Sequence, residues 1–130
     1  MQPPMDVLSL KGTSQYPEIL LDGQSGQLHF SGNSLPEDAR GFFEPIMDWI
    51  NNYIEAPREV TTISFRMIYY NTPSSKIIFQ ILKRFETIHN KLSRVKIIWY
   101  YPDDDIDMKY AGSDYSENIK IPFEFIDYKE

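Results

Sequence analysis

The side chains best equipped for chemistry in this chain stand together in Tyr70-Asn71-Thr72-Pro73-Ser74-Ser75-Lys76, which holds a phenol, an amide, three aliphatic hydroxyls and an amine in a few consecutive residues. Hydroxyls and amides beside a lysine suit an anion, either a bound phosphate or a phosphate esterified to Thr72. Other chemistries find little support. The chain has no cysteine, which removes a thiolate nucleophile, a disulfide and a sulfur-ligated metal. His29 and His89 fall on separate predicted elements, so neither a histidine metal site nor a triad is expected. The acidic run Asp103-Asp104-Asp105-Ile106-Asp107 resembles a calcium loop only at first sight. Counted from Asp103, the sixth position is Met108 where glycine is needed, and the twelfth is Asp114 where glutamate is needed. Paired carboxylates occur only in that run and in the tail, with nothing to separate their pKa values. No Gly-rich phosphate loop and no GxSxG elbow is present. The expectation is a protein without catalytic residues, metal or cofactor.

Two elements must position the Thr72 segment. Before it, Ile63, Phe65, Met67 and Tyr69 alternate with Thr62, Ser64 and Arg66, the period of a strand with one buried face. After it, Ile77, Ile78, Ile81, Leu82, Phe85, Ile88 and Leu92 recur at spacings of three and four, one apolar stripe on a helix. The pair Thr72-Pro73 reads as the helix start, with Thr72 as cap and proline at the first helical position, where its missing N–H has no partner to lose. That placement sets the Thr72 hydroxyl at the positive end of the helix dipole. The same pair also describes an ordinary cap worth about 1 kcal/mol.

The remaining elements follow in order. Residues 1–15 are expected to be a flexible lead or an edge strand. Glu18–Leu21 and Gln27–Phe30 flank an Asp22-Gly23 turn signal and form a hairpin that Ser31–Ser34 closes. Ser34, Pro36 and Glu37 resemble a capped helix start, and Phe42, Ile46, Trp49, Ile50 and Tyr53 give an apolar stripe. Pro45 inside that stripe predicts either two short helices or a kink. Val95–Tyr101 is a second core strand, so strand, helix and strand imply a right-handed parallel crossover. Thr72 then lies at the carboxyl edge of the sheet, where open α/β sheets place their sites. A short helix is expected to end at Gly112, and Lys120–Ile126 forms a last strand starting at an edge because of Pro122. The fold class is α/β: a single mixed sheet with helices mainly on one face, in one domain spanning 1–130.

Composition narrows the partners. The formal net charge of −6 repels a phosphate backbone, so nucleic acid is not expected. No apolar run reaches the roughly 18 residues that span a bilayer, and the start lacks a basic region followed by an apolar one, so cytoplasmic residence without membrane insertion is expected.

Four ordered blocks carry a family resemblance: Gly32-Asn33-Ser34-Leu35-Pro36-Glu37-Asp38-Ala39, Phe43-Glu44-Pro45-Ile46-Met47-Asp48-Trp49-Ile50, Tyr70–Lys76, and Trp99-Tyr100-Tyr101 with Asp105–Met108 and Gly112. Together, from about Tyr16 to Phe125, they resemble the SiaC family of bacterial regulatory phosphoproteins. The resemblance implies a fold similar to the STAS domains of anti-sigma-factor antagonists. It implies that Thr72 is phosphorylated by a cognate protein kinase and dephosphorylated by a PP2C-type phosphatase. It further implies a partner-switching circuit in which the unphosphorylated form binds a downstream effector such as a diguanylate cyclase, linking it to cyclic-di-GMP and biofilm formation. Pro73 stands where a small polar residue is commoner in the family. Asn71, Ser74, Ser75, Lys76 and Tyr70 are the expected phosphate surround or partner contacts, with Tyr69 as a further anchor. Two other functions are open on the residues alone: non-covalent binding of a phosphate or nucleotide by Asn71–Lys76, and a structural adaptor in which Thr72 only caps.

Overall fold

A computed structural model of the chain describes residues 7–129. In chain order it contains β1 (Val7–Leu10), β2 (Glu18–Asp22), β3 (Gln27–Ser34), α1 (Ala39–Tyr53), β4 (Val60–Tyr70), α2 (Thr72–Glu86), β5 (Arg94–Pro102), α3 (Ile106–Asn118) and β6 (Phe123–Tyr128). The six strands form one sheet in sequence order. β1, β2 and β3 pair antiparallel, and β3 to β6 pair parallel, each parallel step crossing over through a helix. The sheet is therefore mixed, as the hairpin and the strand-helix-strand pattern predict.

One face of this sheet makes the core. Ile19, Leu21, Leu28, Phe30, Ile63, Phe65, Ile97 and Trp99 alternate inward and meet Phe43, Ile46 and Ile50 of α1, Ile78, Ile81, Leu82 and Phe85 of α2, and Met108 and Tyr115 of α3. The other face carries His29, Ser64, Arg66, Lys96 and Glu124, with Arg66 stacked 4.0 Å from the Tyr128 ring and Lys96 paired to Glu124 at 2.7 Å. An alternating strand buries one set of side chains and leaves the other wet, so helices on a single face suffice.

Several boundaries differ from the sequence expectation. β3 does not close at Ser31 but runs to Ser34, paired with β4 along its length. The cap of α1 is Asp38, whose carboxylate accepts the Gly41 amide at 3.0 Å; Ser34 is buried in the strand instead. α1 passes through Pro45 as one helix. Pro45 and Gly41, one turn earlier, are both exposed, so the carbonyl that loses its donor turns to solvent. α3 continues past Gly112 to Asn118, because Gly112 faces the Trp99 indole and a Cβ there would overlap the ring. Here glycine serves close packing within a helix rather than its termination. Leu92, placed on the α2 stripe by spacing, lies beyond the helix end and is exposed. Lys120–Pro122 precede β6, which is an edge strand.

Candidate functional site

The Thr72 segment sits where β4 hands over to α2, at the carboxyl end of a central parallel strand. Opposite Gly32 and Asn33 the register of β4 shifts: Gly32 pairs with Met67 but Asn33 with Tyr69, leaving Ile68 as the extra residue. A bulge of this kind reverses which side chains face inward beyond it. Met67 is accordingly buried, Ile68 and Tyr69 are both more than half exposed, and Tyr70 turns back to pack on the core. Tyr69, expected inside from the alternation, is the outward aromatic of the pair.

The cap of α2 is Asn71, not Thr72 as the Thr-Pro pair suggests. Asn71 is extended, its Oδ1 accepts the Ser74 amide at 3.0 Å, and its carbonyl accepts the Ser75 amide at 2.9 Å. Its own amide donates to the Ser34 carbonyl at 3.0 Å and its Nδ2 to the Pro36 carbonyl at 3.3 Å, which holds the turn against the chain leading into α1. Thr72 becomes the first helical residue and Pro73 the second, both exposed. Among the described residues the Thr72 hydroxyl makes no hydrogen bond.

The neighbouring hydroxyls are already occupied. Ser74 is fully buried, with its Oγ 2.8 Å from Ser34 Oγ and 3.2 Å from the Ser34 carbonyl that it donates to. It holds the turn from inside, so it does not join an exposed phosphate surround. Ser75 Oγ lies 2.9 Å from Tyr115 Oη, and Tyr115 donates to the Ser75 carbonyl at 2.9 Å, binding α2 to α3. Burial pushes the Tyr70 phenol far above its ordinary pKa, helped by Tyr115 and the charge of Asp114; burial raises Tyr115 too. Tyr70 is partly buried and packs against the core beside this cluster. Lys76 is exposed, one turn after Thr72.

The first turn of α2 therefore has little capacity to cradle a free anion. Pro73 has no N–H, the Ser74 amide is bound by Asn71, and the Ser74 and Ser75 hydroxyls have partners within the fold. Only the Thr72 amide and hydroxyl and the Lys76 amine remain to face outward. The acidic run is divided in its use: Asp105 caps α3 through the Met108 amide at 3.0 Å. Among the described residues no group of His, Asp or Glu is arranged to hold a metal ion, and no helix is long and apolar enough to cross a membrane. Ser34 and Tyr115 escaped the sequence reading. Ser34 stood in view as a presumed cap, while Tyr115 lies forty residues from Ser75 with no local pattern to connect them.

The chain is a one-sided α/β sheet that carries the exposed Thr72 where a central parallel strand hands over to its helix. The chain belongs to the SiaC family of regulatory phosphoproteins, whose family model matches residues 10–128. SiaC of Pseudomonas aeruginosa superposes with a TM-score of 0.86 at 26% identity, over 95% of this chain and 99% of that one. The same fold is found in the crystal structure of the diguanylate cyclase SiaD in complex with its activator SiaC from Pseudomonas aeruginosa, with a TM-score of 0.87, 26% identity and coverage of 93% and 99%. A protein of Pseudomonas aeruginosa strain UCBPP-PA14 is 28% identical over 119 residues, covering 92% of this chain and 94% of its own length.

Proposed function

We propose that this protein is a non-enzymatic phospho-switch: a protein kinase esterifies Thr72, a PP2C-type phosphatase removes the phosphate, and the unphosphorylated form binds and activates a diguanylate cyclase. Such a circuit raises cyclic-di-GMP and with it biofilm formation. The observation that carries this reading is the division of labour at the helix start. Asn71 caps, Ser74 and Ser75 face inward, and Thr72 alone offers an exposed, unbonded hydroxyl. Membership in a regulatory phosphoprotein family, and the complex of SiaC with a cyclase, support it further.

The physics of the switch is local. Phosphorylation adds about −1.5 to −2 charge at the first turn, where the helix dipole and Lys76 at i+4 favour it, so the modified chain keeps its fold. A partner that covers the neutral hydroxyl must instead desolvate a dianion. That costs several kcal/mol, against the roughly 8 kcal/mol that holds a micromolar complex. Incubation with the cognate kinase and ATP, followed by site mapping by mass spectrometry, is expected to find phosphate on Thr72. Modification confined to other residues would refute the assignment.

A further inference from the structure

The face of the sheet opposite the helices is balanced in charge although the chain is not. Its strands carry Glu18, Asp22 and Glu124 against Arg66, Arg94 and Lys96, on a chain of net charge −6. The two signs are also sorted across the sheet. In the hairpin half, β1 to β3, the formally charged strand residues are the acids Glu18 and Asp22; in the parallel half, β4 to β6, three bases outnumber Glu124 on this face. A face with opposite charge in its two halves complements a copy of itself turned about a two-fold axis.

The strand register makes the fit specific. Leu20, His29, Ser64 and Ile98 lie in one row across the strands, with Asp22, Gln27, Thr62 and Lys96 in the row on one side and Glu18, Ser31 and Arg66 in the row on the other. An axis parallel to the strands, between β3 and β4 and midway between two stacked sheets, sets β2 of one copy over β5 of the other. Row then meets row. Leu20, 44% exposed, faces the partner's Ile98, and Asp22 faces the partner's Lys96. The Lys96–Glu124 pair is itself half exposed and contributes little in water, so Lys96 stays open to a second carboxylate. Glu18 faces the end of β5, where the Arg66 guanidinium lies 5.9 Å from the Tyr100 ring and 4.0 Å from the Tyr128 ring. Those rings draw Arg66 toward β6 and away from the axis, which keeps its two copies apart. Sheets stacked in this way lie about 10 Å apart with their strands nearly aligned. Six strands about 4.8 Å apart offer roughly 500 Å² to each partner, the lower end for a specific complex.

We propose that two copies of this chain associate back to back through the open sheet face, about a two-fold axis parallel to the strands, with Glu18 of each copy paired to the partner's Arg66. The helices of both copies then form the outer layers, because they pack on the opposite face of each sheet. The association does not rest on the phospho-switch reading, and it leaves α2 of each copy free.

The test is sedimentation equilibrium of the full chain from micromolar to submillimolar concentration, with Glu18→Arg and Arg66→Glu beside the native protein. Both positions are exposed, so the variants keep their fold. The expected result is a monomer–dimer equilibrium in the native chain, weakened about tenfold or more by either variant alone. An equimolar mixture of the two variants is expected to recover association, because a mixed pair restores opposite charges at both contacts. Arg40→Glu, the same charge change at an exposed position on α1, is the control and is expected to stay within about twofold of native. A chain that remains monomeric throughout overturns the proposal. So does a dimer that both face variants leave intact, or one that each weakens without recovery in the mixture. Equal losses in Arg40→Glu and Arg66→Glu reduce the effect to net charge and also overturn it.

Discussion

Asn71 Oδ1 accepts the Ser74 amide at 3.0 Å, and this single bond makes asparagine the cap of α2 and frees the threonine beside it. A threonine that capped its own helix would bury its oxygen's best lone pair in the turn, and esterification would then cost the helix its start. With Asn71 in that role, Thr72 can be modified without unravelling α2.

The cap assignment gives the first prediction. Asn71→Ala removes both the Ser74 acceptor and the donor to Pro36, and is expected to destabilise the chain by about 1–2 kcal/mol. Thr72→Ala, at an exposed position with no hydrogen bond among the described residues, is expected to change stability by no more than about 0.5 kcal/mol. Urea denaturation of the two variants checks the order; a larger loss in Thr72→Ala would return the cap to threonine.

For the switch, Thr72→Glu is expected to weaken cyclase binding and activation while Thr72→Ala retains them. Glutamate carries less charge than phosphate, so a partial loss of about tenfold is anticipated. Cyclase activity measured against the concentration of each variant decides this, and indistinguishable curves would rule out an electrostatic mechanism.

His29 supplies a pH test remote from Thr72. Its Nδ1 lies 2.6 Å from Ser64 Oγ on the open sheet face. Burial holds its pKa below the usual 6.5, with Arg66 acting in the same direction and Glu18 against it. The unfolded chain then takes the proton first, so the stability due to neutral His29 is complete above 6.5 and is lost as pH falls from there through the lowered folded value. Denaturation midpoints at about pH 7.5 and about pH 5 should differ more in the native protein than in His29→Gln. Glu86, held below 4.5 chiefly by its hydrogen bond from Lys83, contributes its own loss at lower pH.

Gly112→Ala tests the packing that supports the neighbouring helix. The added methyl group meets the Trp99 indole, whose Nε1 donates to the Met108 carbonyl at 2.9 Å. A loss of about 1–3 kcal/mol with altered tryptophan fluorescence is expected. An unchanged melting curve would show that α3 can shift without cost.

The sequence by itself determined most element types, the mixed sheet with helices on one face, and the position of the Thr72 segment at the β4–α2 junction. Period-two and period-3.6 patterns are local and survive reading one residue at a time, and the family blocks fixed their order. It could not apportion the roles inside the junction. Asn71, Thr72 and Ser74 are all reasonable caps or anion ligands by type, and only the Ser34 strand end, the β4 bulge at Ile68 and Tyr115 of α3 decide which hydroxyls turn inward. Ser34 and Tyr115 each lie forty residues in the chain from the serine they hold. The choice between a buried serine and an exposed threonine is made by packing across that distance, where no local pattern reaches.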